Sequence, residues 1–234
     1  MNQDGIVKVE RALVSTTDSN GLQGFCSRLS QYNQTTFIAT DTAARLLSEW
    51  RLTVVLSGEV TGLPPGFLGG KVKTLHPSIH GGILGAGPED AEELRLHSIL
   101  PFQMVIVNFY DFRGAVAKDP SLASAKKAID IGGPTMARAA AKNWKNVVVV
   151  VDPADYPRVI QDIRQFGGVS RALRYWLAVK VFKTTTHLDA AIAAHMMLEA
   201  PDRPEPIQLA PLALGAGTGQ HAMNVDTGGA GLAL

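Results

Sequence analysis

Val147-Val148-Val149-Val150-Val151-Asp152-Pro153 is a run of five β-branched residues closed by a turn-forming pair. β-Branched side chains are stiff at χ1 and favour extended backbone. The run shows no polar alternation, so both faces of the strand must be buried, as in a parallel sheet covered by helices on both sides. Asp152 then offers a side-chain oxygen to cap a helix that runs to about Phe166. Gly167-Gly168 follows and stops that helix.

The same strand–helix unit recurs outward along the chain. Ala12–Ser15 reads as a strand and Gly21–Ser30 as a helix. Thr36–Thr40 and Ala43–Trp50 form the next pair, and Thr53–Leu56 is a further short strand. Met104–Asn108 is another branched strand, and Pro134–Asn143 is a helix with proline in its first turn. A long helical region runs from Ser170 to about Glu199 and serves either to cover the core or as a dimer seam. This alternation predicts an α/β domain with a mainly parallel sheet. Val60–Gly87, rich in glycine and proline, is read as an ordered but irregular segment, because apolar residues such as Val72, Leu75 and Ile79 are interleaved in it. Residues 1–10 read as an N-terminal extension, 11–199 as the domain, and 200–234 as a flexible Pro/Gly/Ala-rich tail.

Composition narrows the function. A net charge of +1 gives no field of one sign, which argues against nucleic-acid or membrane-surface partners. No signal-peptide pattern opens the chain, and no apolar run reaches the roughly 18 residues that span a bilayer. The single cysteine, Cys26, sits in a helical pattern among apolar residues, where burial is expected. A cytoplasmic location follows from these readings. Neither CxxC nor HExxH spacing occurs, so no metal site is expected.

Ligands of parallel α/β sheets bind beyond the carboxyl ends of the strands. That rule selects Ser15–Ser19, Thr40–Thr42, Ser57–Glu59 and Asn108–Asp111. Four clusters carry the chemistry. Lys71 and Lys73, one residue apart, share a side of an extended segment and are followed by Thr74 and His76. Asn108 and Tyr110 bring polar groups to the ligand edge. Asp130-Ile131-Gly132-Gly133-Pro134 places backbone N–H groups and a carboxylate at a helix start. Lys142 closes that helix among small residues; turned inward beside Asp130, it would be a tuned acid/base.

Together, in this order, the segments 70–84 (GKVKTLHPSIHGGIL), 107–112 (VNFYDF), 129–143 (IDIGGPTMARAAAKN) and 149–156 (VVVDPADY) resemble the inosine monophosphate (IMP) cyclohydrolase domain of purine biosynthesis. The resemblance runs from about Arg11 to Leu198. It implies a methylglyoxal-synthase-like three-layer α/β fold, C-terminal helices, a homodimer and no cofactor. It implies ring closure of 5-formamidoimidazole-4-carboxamide ribonucleotide, with Lys73, Asn108, Tyr110, Asp130 and Lys142 as catalytic candidates. Substrate would lie against Ser15, Thr17, Ser19, Thr40, Asp41, Thr42, Lys71, Thr74, Ile131, Gly132 and Gly133.

The chain departs from the family where a phosphate would sit. The family's Ser-Thr-Gly-Gly-Thr loop is here Ala39-Thr40-Asp41-Thr42-Ala43, its first-loop lysine is Ser19, its Arg-Val-Lys is Lys71-Val72-Lys73, and the proline after its tyrosine is Asp111. A carboxylate repels a phosphate dianion, and loss of glycine restricts close backbone approach. The expectation is a cyclase working without the transformylase half, on a non-phosphorylated carboxamide of a secondary pathway. An ordinary IMP cyclohydrolase and a non-catalytic sensor module are the alternatives.

Overall fold

The structure, a computed structural model, describes residues 5–198. The expected tail at 200–234 lies outside the described residues. The strands are β1 (Arg11–Ser15), β2 (Thr36–Ala39), β3 (Val54–Leu56), β4 (Met104–Val107) and β5 (Val148–Val150). Between and after them come α1 (Leu22–Asn33), α2 (Asp41–Glu49), α3 (Ser57–Thr61), α4 (Pro77–Leu84), α5 (Ala91–Leu96), α6 (Phe112–Lys118), α7 (Leu122–Ala128), α8 (Gly132–Lys142), α9 (Tyr156–Phe166) and α10 (Arg171–Leu198).

The five strands form one parallel sheet in the order β3-β2-β1-β4-β5. Strand side chains alternate between faces. Val14, Phe37, Ala39, Ile106 and Val148 pack under α1, α2 and α9, against Phe25, Leu29, Leu47 and Val159. Leu13, Ile38, Val105, Val107 and Val149 pack under α4 and α8, against Ile79, Ile83, Met136 and Ala140. The result is the three-layer α/β arrangement that the alternation predicts. The start of α10 contributes Leu173 and Leu177 to the first core and Ala178 and Val181 to the second, so it wraps the β5 edge of the sheet. Covering an edge strand removes a template for unwanted pairing. Tyr175, Trp176 and Phe182 remain exposed on the outer side of α10.

Two expectations need correction. Residues 1–10 are not all an extension: Val7 and Val9 are buried in the core, and Val7 bridges Val169 through bonds of 3.0 and 2.8 Å. The segment 60–87 is also more regular than its glycines suggest. His76 caps α4, its Nδ1 accepting the Ser78 N–H at 3.1 Å, and Pro77 opens the helix. Gly82 is a helical residue chosen for space: a Cβ there would lie 2.6 Å from the Leu100 carbonyl and 2.9 Å from the Phe102 ring. The glycines that disguise α4 in the sequence are what let it pack.

Arg174 is buried to 1% exposure, although arginine is rarely found inside. Its guanidinium donates to the carbonyls of Trp144 at 3.0 Å and Lys145 at 2.9 Å, and to that of Val169. It therefore ties α10 to the turn before β5 and to the segment that pairs with Val7. Burial, with a contribution from neighbouring Arg171, lowers its pKa to about 10.

Candidate active site

Sheet register sets the floor of the site. Val14 pairs with Ala39, and Ala39 with Leu56, so Ser15, Thr40 and Ser57 come next at the carboxyl ends of three adjacent strands. Ser15 also pairs with Val107, and Asn108 follows it. Thr40 and Ser57 are buried, and Ser15 is half-buried. Because α4 and α8 lead back to the start of the next strand, both helices begin at this same edge. The segment leading into α4 meets the first turn of α8: a Cβ on Gly132 would lie 3.4 Å from the Thr74 hydroxyl.

Asp130 stands at the start of α8. Its Oδ1 accepts the Gly133 N–H at 3.1 Å, and its Oδ2 accepts the Tyr110 N–H at 3.4 Å. Burial raises its pKa above the ordinary 3.8, and the two amides oppose that rise only in part. Gly133 makes the arrangement possible, since a Cβ there would sit 2.6 Å from Asp130 Oδ2 and 3.2 Å from the Phe109 ring. Tyr110 and Ile131 are exposed. Lys73 is exposed and folds over Gly70, whose φ is +78°, with Cε 2.8 Å from where a Cβ would stand. Lys71 is exposed and Thr74 is 3% exposed.

The first loop is held by Asn108. Its Oδ1 accepts from Thr17 N at 2.6 Å, Thr17 Oγ1 at 2.9 Å and Asp18 N at 3.2 Å, while its Nδ2 donates to the Asp18 carbonyl at 3.2 Å. Thr17 and Ser19 are exposed at the same edge.

The structure thus brings Ser15, Thr17, Thr40, Thr74, Asn108, Tyr110, Asp130, Gly132 and Gly133 to one sheet edge. It does not bring Lys142 there. Lys142 is the last residue of α8, whereas Asp130 lies just before the first. Eleven helical residues rise about 16 Å, and α8 leads into the amino end of β5, so within one chain Lys142 lies at the opposite edge of the sheet. The expectation of an Asp130–Lys142 pair is corrected on that geometry. Gly133 is corrected as a free donor too, because its N–H is taken by Asp130. Among the described residues no cluster of three His, Cys, Asp or Glu side chains could hold a metal ion, and no helix is long and apolar enough to cross a membrane.

Residues 140–224 match the family described as AICARFT/IMPCHase bienzyme. The bifunctional purine biosynthesis protein PurH of Magnetococcus marinus is 45% identical over 192 residues, covering 80% of this chain and 36% of that protein. PurH of Anoxybacillus flavithermus is 42% identical over 189 residues, covering 80% and 37%. The chain is IMP cyclohydrolase-like. It spans little more than a third of the length of these two relatives. The crystal structure of ForH superposes with a TM-score of 0.70 at 29% identity, covering 82% of this IMP cyclohydrolase-like chain and 99% of ForH.

Within this IMP cyclohydrolase-like fold the departures from the family take definite places. Asp41 is the first residue of α2 and is exposed, as is Thr42. A carboxylate there complements the positive end of the helix and occupies the position from which backbone N–H groups would attract an anion. Asp111, in place of the family's proline, caps α6 by accepting the Gly114 N–H at 2.9 Å. Thr16 falls within the Ser15–Ser19 stretch that strand position selects but not among the substrate contacts the resemblance implies, and its hydroxyl is enclosed without a partner between Ser15 and the Asn108-bound Thr17. Cys26 is buried and its thiol is pushed up to about 12, so it takes no part in the site.

Proposed function

We propose that the chain catalyses cyclohydrolase-type ring closure. The carboxamide nitrogen of a formamido-carboxamide heterocycle attacks the formyl carbon, and the formyl oxygen leaves as water. One proton of that water comes from the carboxamide nitrogen and one from the formamido nitrogen. The observation that carries the reading is Asp130, a partly desolvated carboxylate fixed by the Gly133 and Tyr110 amides at a helix start.

An amide nitrogen is a poor nucleophile, and Asp130 is the group placed to polarise its N–H. Charge gathers on the formyl oxygen as the ring closes. The Gly132 N–H, the Tyr110 hydroxyl and the Lys73 ammonium are the donors available to it. Because both reacting groups belong to one molecule, holding them at attack distance supplies much of the acceleration. Catalysis in this reading uses no metal or cofactor.

In this reading the substrate carries a neutral hydroxylated group where the family's substrate carries phosphate. Asp41 at the start of α2, Ser19 in place of lysine and the hydroxyl row Ser15–Thr40–Ser57 support it. The chain works as a homodimer in the cytoplasm, and the exposed Tyr175, Trp176 and Phe182 of α10 offer a seam. The test is turnover of 5-formamidoimidazole-4-carboxamide ribonucleotide beside its ribonucleoside, followed by ultraviolet absorbance. Faster turnover of the ribonucleoside is expected. Efficient turnover of the nucleotide alone would overturn the substrate assignment, and turnover of neither would remove support for the ring-closing reading of these substrates.

A further inference from the structure

We infer that Asn108 is a positioning residue, a latch that holds the Thr17–Asp18 loop in place for substrate, and not a group that acts on the reacting atoms. The inference deepens the proposed function and rests on its placing of substrate beside Tyr110 and Asp130.

The argument is one of hydrogen-bonding capacity. An amide oxygen has two lone pairs and an amide nitrogen two hydrogens. Asn108 Oδ1 already accepts three donors, Thr17 N at 2.6 Å, Thr17 Oγ1 at 2.9 Å and Asp18 N at 3.2 Å. Nothing is left on that oxygen for a ligand. Nδ2 spends one hydrogen on the Asp18 carbonyl at 3.2 Å. One side chain at the end of β4 thus satisfies four groups of the loop that leaves β1, some 90 residues earlier. Neighbouring strands lie about 4.8 Å apart, a gap that an asparagine spans.

The latch has a direction. Beyond it, Asp18 Oδ1 accepts the Asn20 N–H at 2.9 Å, closing a tight turn that delivers the chain through Gly21, at φ 69°, into α1. Asn108 therefore fixes where Thr17 and Ser19 stand relative to Tyr110, two residues further along its own loop. Thr17 is exposed, so solvent would compete for its backbone once the amide is removed. A group acting this way sets how well the site is preassembled, and its loss raises KM more than it lowers kcat.

Amide hydrogen exchange read by NMR, with steady-state kinetics alongside, tests it on the full chain with Asn108→Ala and Asn108→Asp. Asn108→Ala should speed exchange at Thr17 and Asp18 at least tenfold and leave the β4 amides unchanged. Asn108→Asp, which keeps the accepting oxygen, should hold exchange within about threefold of the parent. In the same variants KM should rise at least tenfold for Ala, with kcat within threefold, and Asp should recover most of that loss. Unchanged exchange at Thr17 and Asp18 in Asn108→Ala would overturn the latch. So would a hundredfold fall in kcat at constant KM, which would place Asn108 on the reacting atoms. The exchange result decides the latch even where the parent turns over neither imidazole substrate, so failure of the proposed function and failure of the latch are told apart.

Discussion

Asp130 and Gly133 close a ring of one helical turn, the carboxylate oxygen accepting the glycine N–H at 3.1 Å in a space that no Cβ could share. The arrangement holds a partly desolvated carboxylate at the positive end of α8. It stabilises the ionised form locally, yet burial wins, and the pKa stands above 3.8. A general base gains from such a shift, because its proton affinity moves toward the working pH.

Replacing Asp130 by Asn should separate activity from stability. The folded state holds the Asp130 proton more tightly than the unfolded chain does, because its pKa is raised. That contribution is fully present below the unfolded value and is lost as pH rises through the folded value. At pH 7 the ionised carboxylate therefore costs stability, and the neutral amide removes the cost. Turnover should fall by about a hundredfold or more, while Tm at pH 7 stays level or rises. In the parent, the acidic limb of kcat/KM should have its midpoint above the ordinary carboxylate value. A marked drop in Tm for Asp130→Asn would contradict the desolvation argument.

Gly133→Ala probes the same ring from the other side. Gly133 lies inside α8 without a positive φ, so alanine gains about 1 kcal/mol of helix propensity. Its methyl must displace the Asp130 carboxylate or the Phe109 ring. Misplacing a reacting group by about 1 Å can cost a hundredfold in rate. The expected result is a Tm close to the parent with kcat lowered by about tenfold or more. Unchanged kcat would show that the position of Asp130 is not critical.

Much of this arrangement was legible in the sequence. The strands reveal themselves because branched residues leave few alternatives, as at Val147–Val151 and Met104–Asn108. The Asp-Ile-Gly-Gly-Pro turn shows itself because two glycines before a helix have few other uses. What stayed hidden depends on three dimensions. Gly82 reads as punctuation because its reason, the Leu100 carbonyl and the Phe102 ring, lies on another segment. Arg174 reads as a surface residue because two of its three carbonyl partners, those of Trp144 and Lys145, are remote in sequence. Lys142 stands far from Asp130 because proximity in a motif is not proximity in space: α8 carries the chain from one edge of the sheet to the other.

Lys142→Met tests that correction directly. With Lys142 about 16 Å along α8 from the site, one chain gives it no contact with Asp130. Turnover should stay within about threefold of the parent, and the pH midpoint assigned to Asp130 should not move. A loss of a hundredfold would require a second copy of the chain to deliver this lysine. Mixing Lys142→Met with Asp130→Asn would then restore activity, whereas two sites each complete in one chain would not complement.

Arg174→Met should be destabilising without touching the chemistry. Methionine keeps much of the apolar stem but leaves the carbonyls of Trp144 and Lys145 without their donor, while that of Val169 keeps the Val7 N–H. A buried acceptor left unsatisfied costs about 1–3 kcal/mol, so two of them give an expected loss of about 3 kcal/mol. For a domain of this size that corresponds to a fall in Tm of about 6–12 °C. Arg174→Lys should recover only part of the loss, since a compact ammonium cannot span three separated carbonyls as a planar guanidinium does. Because Trp144 and Lys145 precede β5, at the edge away from Asp130, the fraction that remains folded should keep the parent KM. Thermal denaturation followed by circular dichroism, with KM measured well below the transition, checks both halves. A fall in Tm of less than about 2 °C would mean that water replaces the guanidinium and that Arg174 does not pin α10 to the sheet.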